Sequence, residues 1–187
     1  MNYAEIKNCD IANGPGVRVS LFVSGCTHHC KGCFNEIAWD FGYGKPFTQE
    51  TIDRILQMLR PAYIRGLTLL GGEPFEPENQ GAVVELLRQI KREMPEKSIW
   101  AFSGYLFDRD ILSGRLGDCG EYLSYLDVLV DGPFVEAKKN LSLRFRGSEN
   151  QRIIDVPASL QAGQIVLWQD WQGEKKGMRE ENGIHSC

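Results

Sequence analysis

The run VRVSLFVSGCTHHCKGCFN, residues 17–35, joins a strand pattern directly to three closely spaced cysteines. Its first seven residues place apolar side chains at every second position, which is the period of a β-strand with one buried face. These alternating residues are Val17, Val19, Leu21 and Val23. The cysteines follow at once, as Cys26, Cys30 and Cys33. The run therefore predicts a strand with a cysteine-rich loop at its carboxyl end.

The C-x3-C-x2-C spacing suits a [4Fe–4S] cluster. Such a cluster normally takes four cysteine thiolates, and this loop offers three. An iron without a protein ligand can bind a substrate or cofactor. This open position distinguishes a catalytic cluster from one that only carries electrons. Two alternatives stay open: a structural zinc site with His28, His29 or Cys9 as the fourth ligand, and an electron carrier in which Cys9 completes the cluster. The chain has no second Cys or His pair at the spacing of a zinc finger, which counts against zinc.

Strand and helix patterns alternate along the rest of the chain. Helices are predicted at residues 48–60, 79–94 and 118–125, and strands at 17–23, 67–72, 98–102, 127–131, 152–156 and 165–168. Such alternation favours a mostly parallel sheet with right-handed crossovers. Six strands are too few for a closed eight-stranded barrel. We therefore expect an α/β fold, an incomplete and laterally open (β/α) barrel with mostly parallel strands.

Four of the predicted strands end in loops with polar or glycine residues. In parallel α/β folds the reactive site lies at the carboxyl ends of the strands, so these loops should meet at one rim. Besides the cysteine loop they contain Gly71 and Gly72, Ser103 and Gly104, and Asp131 and Gly132. The second loop reads GGEP, residues 71–74, in which Glu73 and exposed backbone groups could hold the ammonium group of a ligand.

Composition limits the class of protein. The 187 residues are 42% hydrophobic with a net charge of −4, so neither a nucleic-acid partner nor a membrane surface is indicated. The N-terminus lacks a secretory pattern and no apolar run approaches a membrane span, so we expect a cytoplasmic protein. The scattered Cys9, Cys119 and Cys187 are interpreted as ordinary thiols, because a tight cysteine cluster in a reducing compartment favours metal binding over disulfides. One domain over residues 1–168 and a flexible tail over 169–187 are predicted.

Together, the three cysteines and GGEP resemble the radical S-adenosylmethionine (SAM) enzymes. Three further segments narrow the resemblance: NGPGVRVSLFVSGC at residues 13–26, VDGPF at 130–134 and RGSENQRIIDV at 146–156. They are similar to the glycyl-radical activases, in particular the branch that acts on anaerobic ribonucleoside-triphosphate reductase. The resemblance covers about residues 1–168 and implies that the open barrel is of the radical SAM type.

This resemblance also implies the cofactors and their contacts. Cys26, Cys30 and Cys33 would bind three irons of a [4Fe–4S] cluster, and the fourth iron would bind the amino and carboxylate groups of SAM. Backbone groups from Gly32 through Cys33 to Phe34 would contact the adenine, and Gly71, Gly72 and Glu73 would receive the methionine end. Many relatives carry an aromatic residue where this chain has Gly32, so adenine packing is assigned to Phe34.

The resemblance implies an oxidoreductase that needs no side chain as acid, base or nucleophile. Reductive cleavage of SAM would yield a radical that takes a hydrogen from a glycine of the protein partner, anaerobic ribonucleotide reductase. An electron donor such as flavodoxin would reduce the cluster. Activation of another glycyl-radical enzyme, such as pyruvate formate-lyase, and radical SAM chemistry on a small molecule, as in carboxydeazaguanine synthase, are the competing functions.

Overall fold

A mixed β-sheet forms the centre of the molecule in a computed structural model that describes residues 1–169. Seven strands occur in this part of the chain: β1 Asn2–Asp10, β2 Val17–Val23, β3 Lys45–Pro46, β4 Ile64–Gly71, β5 Ser98–Phe102, β6 Val128–Asp131 and β7 Arg152–Asp155. Their order across the sheet is β3-β1-β2-β4-β5-β6-β7. Four α-helices accompany them: α1 Gln49–Leu59, α2 Pro77–Glu93, α3 Gly120–Tyr125 and α4 Val156–Ala162. None of the described helices is both long and apolar enough to cross a membrane.

The predicted incomplete (β/α) barrel of the radical SAM type is wrong. Only the four central strands, β2, β4, β5 and β6, pair in parallel. The outer pairings, β1 with β2, β1 with β3 and β6 with β7, are antiparallel, and the sheet does not close on itself. The reason lies in the connections: a short turn joins β1 to β2 as a hairpin, and the chain between β6 and β7 contains no crossover α-helix.

The predicted elements differ in how well they match the structure. Strands 17–23 and 98–102 match β2 and β5 in both bounds, and the helix predicted at 79–94 is α2, shifted by one or two residues. Residues 165–168 do not form a strand; Leu167 makes one isolated bridge to Ile154. Three of these elements, β1, β3 and α4, were not predicted. Apart from Gln169, the predicted flexible tail lies outside the described residues.

Helices cover one face of the sheet and produce the main core. The stripe predicted for α1 (Ile52, Ile55, Leu56 and Leu59) is buried, as is that of α2 (Val83, Leu86, Leu87 and Ile90). Both stripes belong to the same apolar cluster as the odd-numbered side chains of β2 and β4, such as Leu21 and Leu69. The opposite face carries a smaller cluster around Trp100 and Val130, and it also buries polar side chains.

Arg18 is a fully buried charged side chain on this face, so its guanidinium needs several hydrogen-bond acceptors. Its guanidinium donates from Nε to Thr68 Oγ1 at 2.7 Å, from NH1 to Ser98 Oγ at 2.9 Å, and from NH2 to the carbonyls of Leu67 at 2.7 Å and Ser98 at 2.9 Å. The group lies 5.7 Å from the ring centroid of Trp100. Burial lowers the pKa of Arg18 to about 10. One side chain of β2 therefore ties together β4 and β5, the strands that end at the predicted rim.

We expect Arg18→Leu to lower the free energy of unfolding by at least about 3 kcal/mol, because each buried acceptor left without a donor costs about 1–3 kcal/mol. Urea unfolding followed by circular dichroism measures the change. The matched control is Arg92→Leu on the exposed side of α2, for which a change within about 0.5 kcal/mol is expected. An Arg18→Leu protein that unfolds at the same urea concentration as this control would contradict the role given to the guanidinium.

Candidate functional site

The three clustered cysteines line one cavity at the carboxyl ends of the parallel strands. Cys26 is buried, Cys30 and Cys33 are half-buried, and all three are free thiols. The cavity has a volume of about 510 Å3 and is also lined by the loops that follow β4, β5 and β6. The parallel direction of the four central strands thus brings the predicted loops to one rim, even though the sheet around them is not a barrel.

Backbone amides point at the sulfur atoms. Burial raises the pKa of the Cys26 thiol to about 12, although the amides of His28 and His29 donate to its sulfur and oppose this rise. Burial likewise raises the pKa of Cys30, whose sulfur accepts from the amide of Phe134. The sulfur of Cys33 accepts from the amide of Asn35 at 3.4 Å. Such N–H donors around cysteine sulfur are among the groups by which proteins adjust iron–sulfur clusters.

The cysteine loop fits a cluster better than a single ion. Within residues 1–169 no three Cys, His, Asp or Glu side chains converge on one point, as one zinc ion requires. A [4Fe–4S] cluster does not require its cysteines to meet at one point, because each cysteine binds a different iron. Of the alternative fourth ligands, His29 stacks on Trp39 at 4.6 Å between ring centroids, and Cys9 is exposed on β1 beside Tyr63. His28 lines the cavity, with its Nε2 at 3.2 Å from the carboxylate of Glu73.

The GGEP turn docks on the backbone of the cysteine loop. Gly72 N donates to the carbonyl of Val23 at 2.7 Å, and Glu73 N donates to the carbonyl of Gly25 at 2.8 Å. Gly71 has a φ of +109°, which favours glycine. A Cβ on Gly72 would lie 2.5 Å from the carbonyl oxygen of Gly25. Both glycines therefore permit the close approach of two loops, beyond any contact they make with a ligand.

The Glu73 carboxylate is 1% exposed and binds groups from three loops. Oε1 accepts from Phe75 N and Ser103 Oγ, both at 2.9 Å, and Oε2 accepts from Gly104 N at 2.7 Å. His28 Nε2 lies 3.2 Å from Oε2, without the angle of a hydrogen bond. Burial alone would lower the pKa of His28, but the neighbouring carboxylate outweighs it and raises this pKa. The predicted contact of Glu73 with a ligand's ammonium stays a prediction, since the carboxylate already serves these protein groups.

A second buried carboxylate, Glu76, was missed by the sequence interpretation. Its Oε1 accepts from the amide of Thr27 at 2.8 Å, the hydroxyl of Thr27 at 2.6 Å and the hydroxyl of Tyr105 at 3.3 Å. Thr27 lies between the first two cysteines of the loop, so Glu76 holds the loop directly. The sequence feature that could have identified Glu76 is its position, three residues after Glu73 and at the N-cap of α2.

Asp131, at the end of β6, does not line the cavity. It is fully buried, accepts a hydrogen bond from the amide of Phe107 at 2.8 Å, and forms an ion pair with Arg152 of β7. This ion pair raises the pKa of Arg152. Asp131 therefore fixes the antiparallel edge strand to the sheet.

Two large apolar side chains stand exposed at the mouth of the cavity. Phe34 is 83% exposed and Leu141 is 89% exposed, and both contribute to the cavity lining. A Cβ on Gly32 would lie 3.0 Å from the carboxylate of Glu136, so the cysteine loop contacts the segment after β6 closely. Segment 138–146, KKNLSLRFR, carries four basic residues and no acidic one.

Comparisons with known proteins identify one matching family and several relatives. A family described as a 4Fe-4S single cluster domain matches residues 12–154. Three proteins named anaerobic ribonucleoside-triphosphate reductase-activating protein match most of the chain. The protein of Vibrio cholerae serotype O1 is 44% identical over 156 residues, 82% of this chain and 97% of the relative. That of Enterobacteria phage T4 is 43% identical over 155 residues, 82% and 93% of the two chains, and that of Escherichia coli K12 is 40% identical over 153 residues, 81% and 96%.

These matches confirm the resemblance drawn from the motifs. The residues that carry it, the cysteine loop and GGEP, lie together in the cavity and within the matched region. Since the identity extends over almost the whole length of each relative, the chain belongs to the family of anaerobic ribonucleoside-triphosphate reductase-activating proteins.

Proposed function

We propose that this protein is a radical SAM activase that cleaves SAM reductively at a [4Fe–4S] cluster and generates a glycyl radical on anaerobic ribonucleoside-triphosphate reductase. One observation carries the proposal: among the described residues, the cavity wall bears Cys26, Cys30 and Cys33 and no further cysteine. Three thiolates leave one iron of a four-iron cluster without a protein ligand. The membership of the chain in a single-cluster family supports the cluster itself.

The size of the cavity supports a small-molecule cofactor beside the cluster. A volume of about 510 Å3 falls within the range of about 300–1,000 Å3 that is usual for small-molecule sites. The protein groups proposed for SAM, Gly32 to Phe34 and Gly71 to Glu73, all line this cavity. When bound, the cluster and SAM would supply the electron transfer and the hydrogen abstraction from glycine.

The residues of the chain would bind, orient and shield rather than react. The three thiolates would hold the cluster, and the amides that point at their sulfur atoms would stabilise the thiolate form. Trp39 and Phe102 line the cavity wall, where their aromatic rings would help to exclude water. The proposed roles include no general acid, general base or nucleophile.

A protein partner is supported by the mouth of the cavity. Phe34 and Leu141 are exposed and line the same cavity as the cysteines, so a protein that covered the cavity would bury apolar surface there. The names of the relatives supply the partner that we propose, anaerobic ribonucleoside-triphosphate reductase. A low-potential one-electron donor such as flavodoxin would reduce the cluster.

Anaerobic reconstitution with iron and sulfide tests this function. With dithionite and SAM, we expect 5′-deoxyadenosine in chromatographic assays, and with the reductase added, the electron paramagnetic resonance (EPR) doublet of a glycyl radical. Pyruvate formate-lyase in place of the reductase should give no doublet; a doublet only with that enzyme would reassign the partner. A fully loaded cluster that yields no 5′-deoxyadenosine, with or without the reductase, would refute the proposal.

A further inference from the structure

Glu76 brings a buried negative charge to the base of the cysteine loop. Glu76 is 4% exposed, and its carboxylate forms no ion pair within the described range 1–169, although its charge contributes to the raised pKa of nearby His28. Its charge is therefore offset by hydrogen bonds rather than by a cation in direct contact. Carboxylates in such surroundings exert stronger fields than exposed ones, because little water screens them.

The contacts of Glu76 fix where that charge lies. All three hydrogen bonds that its carboxylate accepts from described residues reach the same atom, Oε1, and two of them come from Thr27 at 2.8 Å and 2.6 Å. Thr27 directly follows Cys26 in the chain, so the carboxylate sits against the backbone of the loop that would bind the cluster. Hydrogen bonding and charge are also separable here, since a glutamine can keep Oε1 as the acceptor and lose only the charge.

We propose that the carboxylate of Glu76 lowers the reduction potential of the cluster held by the cysteine loop. The inference rests on the proposed function in one respect, the binding of the cluster by Cys26, Cys30 and Cys33. A cluster with thiolate ligands is reduced by one electron from a low-potential donor, and that electron adds negative charge beside Glu76. Net charge and burial are established determinants of cluster potential. A fixed anion against the loop therefore makes the reduced cluster a stronger reductant.

The test compares Glu76→Gln with wild type and with Glu78→Gln, an exposed position on the same turn of α2. Each protein is reconstituted anaerobically and titrated with dithionite in the presence of redox mediators, and EPR records the reduced cluster. We expect a less negative midpoint potential for Glu76→Gln and an unchanged one for Glu78→Gln. A Glu76→Gln cluster with the wild-type potential would overturn the inference.

Incomplete reconstitution does not prevent the comparison, because EPR reads only clusters that have formed. If Glu76→Gln takes up no iron, Glu76→Ala is titrated in its place, since it also removes the charge from this buried position. An upward shift in that variant supports the role of the Glu76 carboxylate, and an unchanged potential rejects it.

The titration uses neither SAM nor the reductase, so it separates the two proposals. A wild-type cluster that makes no 5′-deoxyadenosine refutes the proposed function, yet the Glu76→Gln comparison is still decided. A wild-type chain that binds no cluster refutes both. In the Glu76→Gln protein with full iron content, slower 5′-deoxyadenosine formation should accompany the higher potential.

Discussion

Cys30→Ala is expected to prevent cluster assembly and to reduce 5′-deoxyadenosine formation to background. Replacing a residue that only orients a metal ligand typically costs about 10–100-fold in affinity or activity, and removal of a ligand should cost more. Cys30 is half-buried and its sulfur accepts from the amide of Phe134. Iron and sulfide content, visible absorption and product yield after anaerobic reconstitution measure the loss.

The matched control is Cys9→Ala. Cys9 is exposed on β1 and does not line the cavity, so this variant should keep its iron and its product yield. Loss of the cluster in Cys9→Ala would instead make Cys9 the fourth ligand and favour the electron-carrier alternative. Full cluster content and activity in Cys30→Ala would show that Cys30 is not a ligand of the cluster and would contradict the site proposed here. Unfolding by urea should be nearly the same for both variants without iron, which separates metal loss from misfolding.

The part of the fold predicted best is the part whose signal is local. β2 carries an apolar residue at every second position, and α1 carries a full apolar stripe. These apolar side chains lie in the main core between the sheet and the helices, and their periodicity is visible in the sequence itself. The burial of the other face of β2, which includes Arg18, was not predicted. The parallel direction of the four central strands was predicted from the helices between them, and it placed the cysteine loop and GGEP at one rim.

The sheet edges could not be predicted in the same way. Most of β1 is exposed or half-buried, and its polar sequence NYAEIKNCD gives little strand periodicity. β7 reads as a strand, but its antiparallel direction depends on the route of residues 132–151, which no local pattern fixes. The barrel prediction assumed that every strand would follow a crossover helix, and the edge strands do not.

In the site, too, local patterns could be predicted and long-range contacts could not. Cys26 and Glu73 were identified because each belongs to a short motif, the cysteine loop and GGEP. The contact of Glu76 with Thr27 spans 49 positions, and that of Glu73 with Gly104 spans 31. Contacts of this range depend on the packed strands, so an isolated carboxylate in GGEPFE gave no indication of its partner.

Gly72→Ala is expected to destabilise the fold and the cluster loop together. The added Cβ would lie 2.5 Å from the carbonyl oxygen of Gly25 and 2.9 Å from that of Ala38. Both atoms belong to the backbone, so no side chain can rotate away, and the cysteine loop must move relative to β4. Forced overpacking of this kind costs about 1–3 kcal/mol. We expect a loss at the upper end of that range in urea unfolding and an iron content well below that of wild type after reconstitution.

Gly81→Ala is the control for the same chemical change. Gly81 lies on an open side of α2, where a Cβ meets no atom within 4 Å, so alanine should stabilise the helix by about 1 kcal/mol. If Gly72→Ala lowers the free energy of unfolding and Gly81→Ala raises it, glycine is required at position 72 because the loops approach closely there, and not because of its backbone flexibility. The φ of Gly72 is not in the left-handed region, so backbone strain would not explain a loss there. A Gly72→Ala protein with wild-type stability and a complete cluster would show that the contact between GGEP and the cysteine loop can relax without harm to the site.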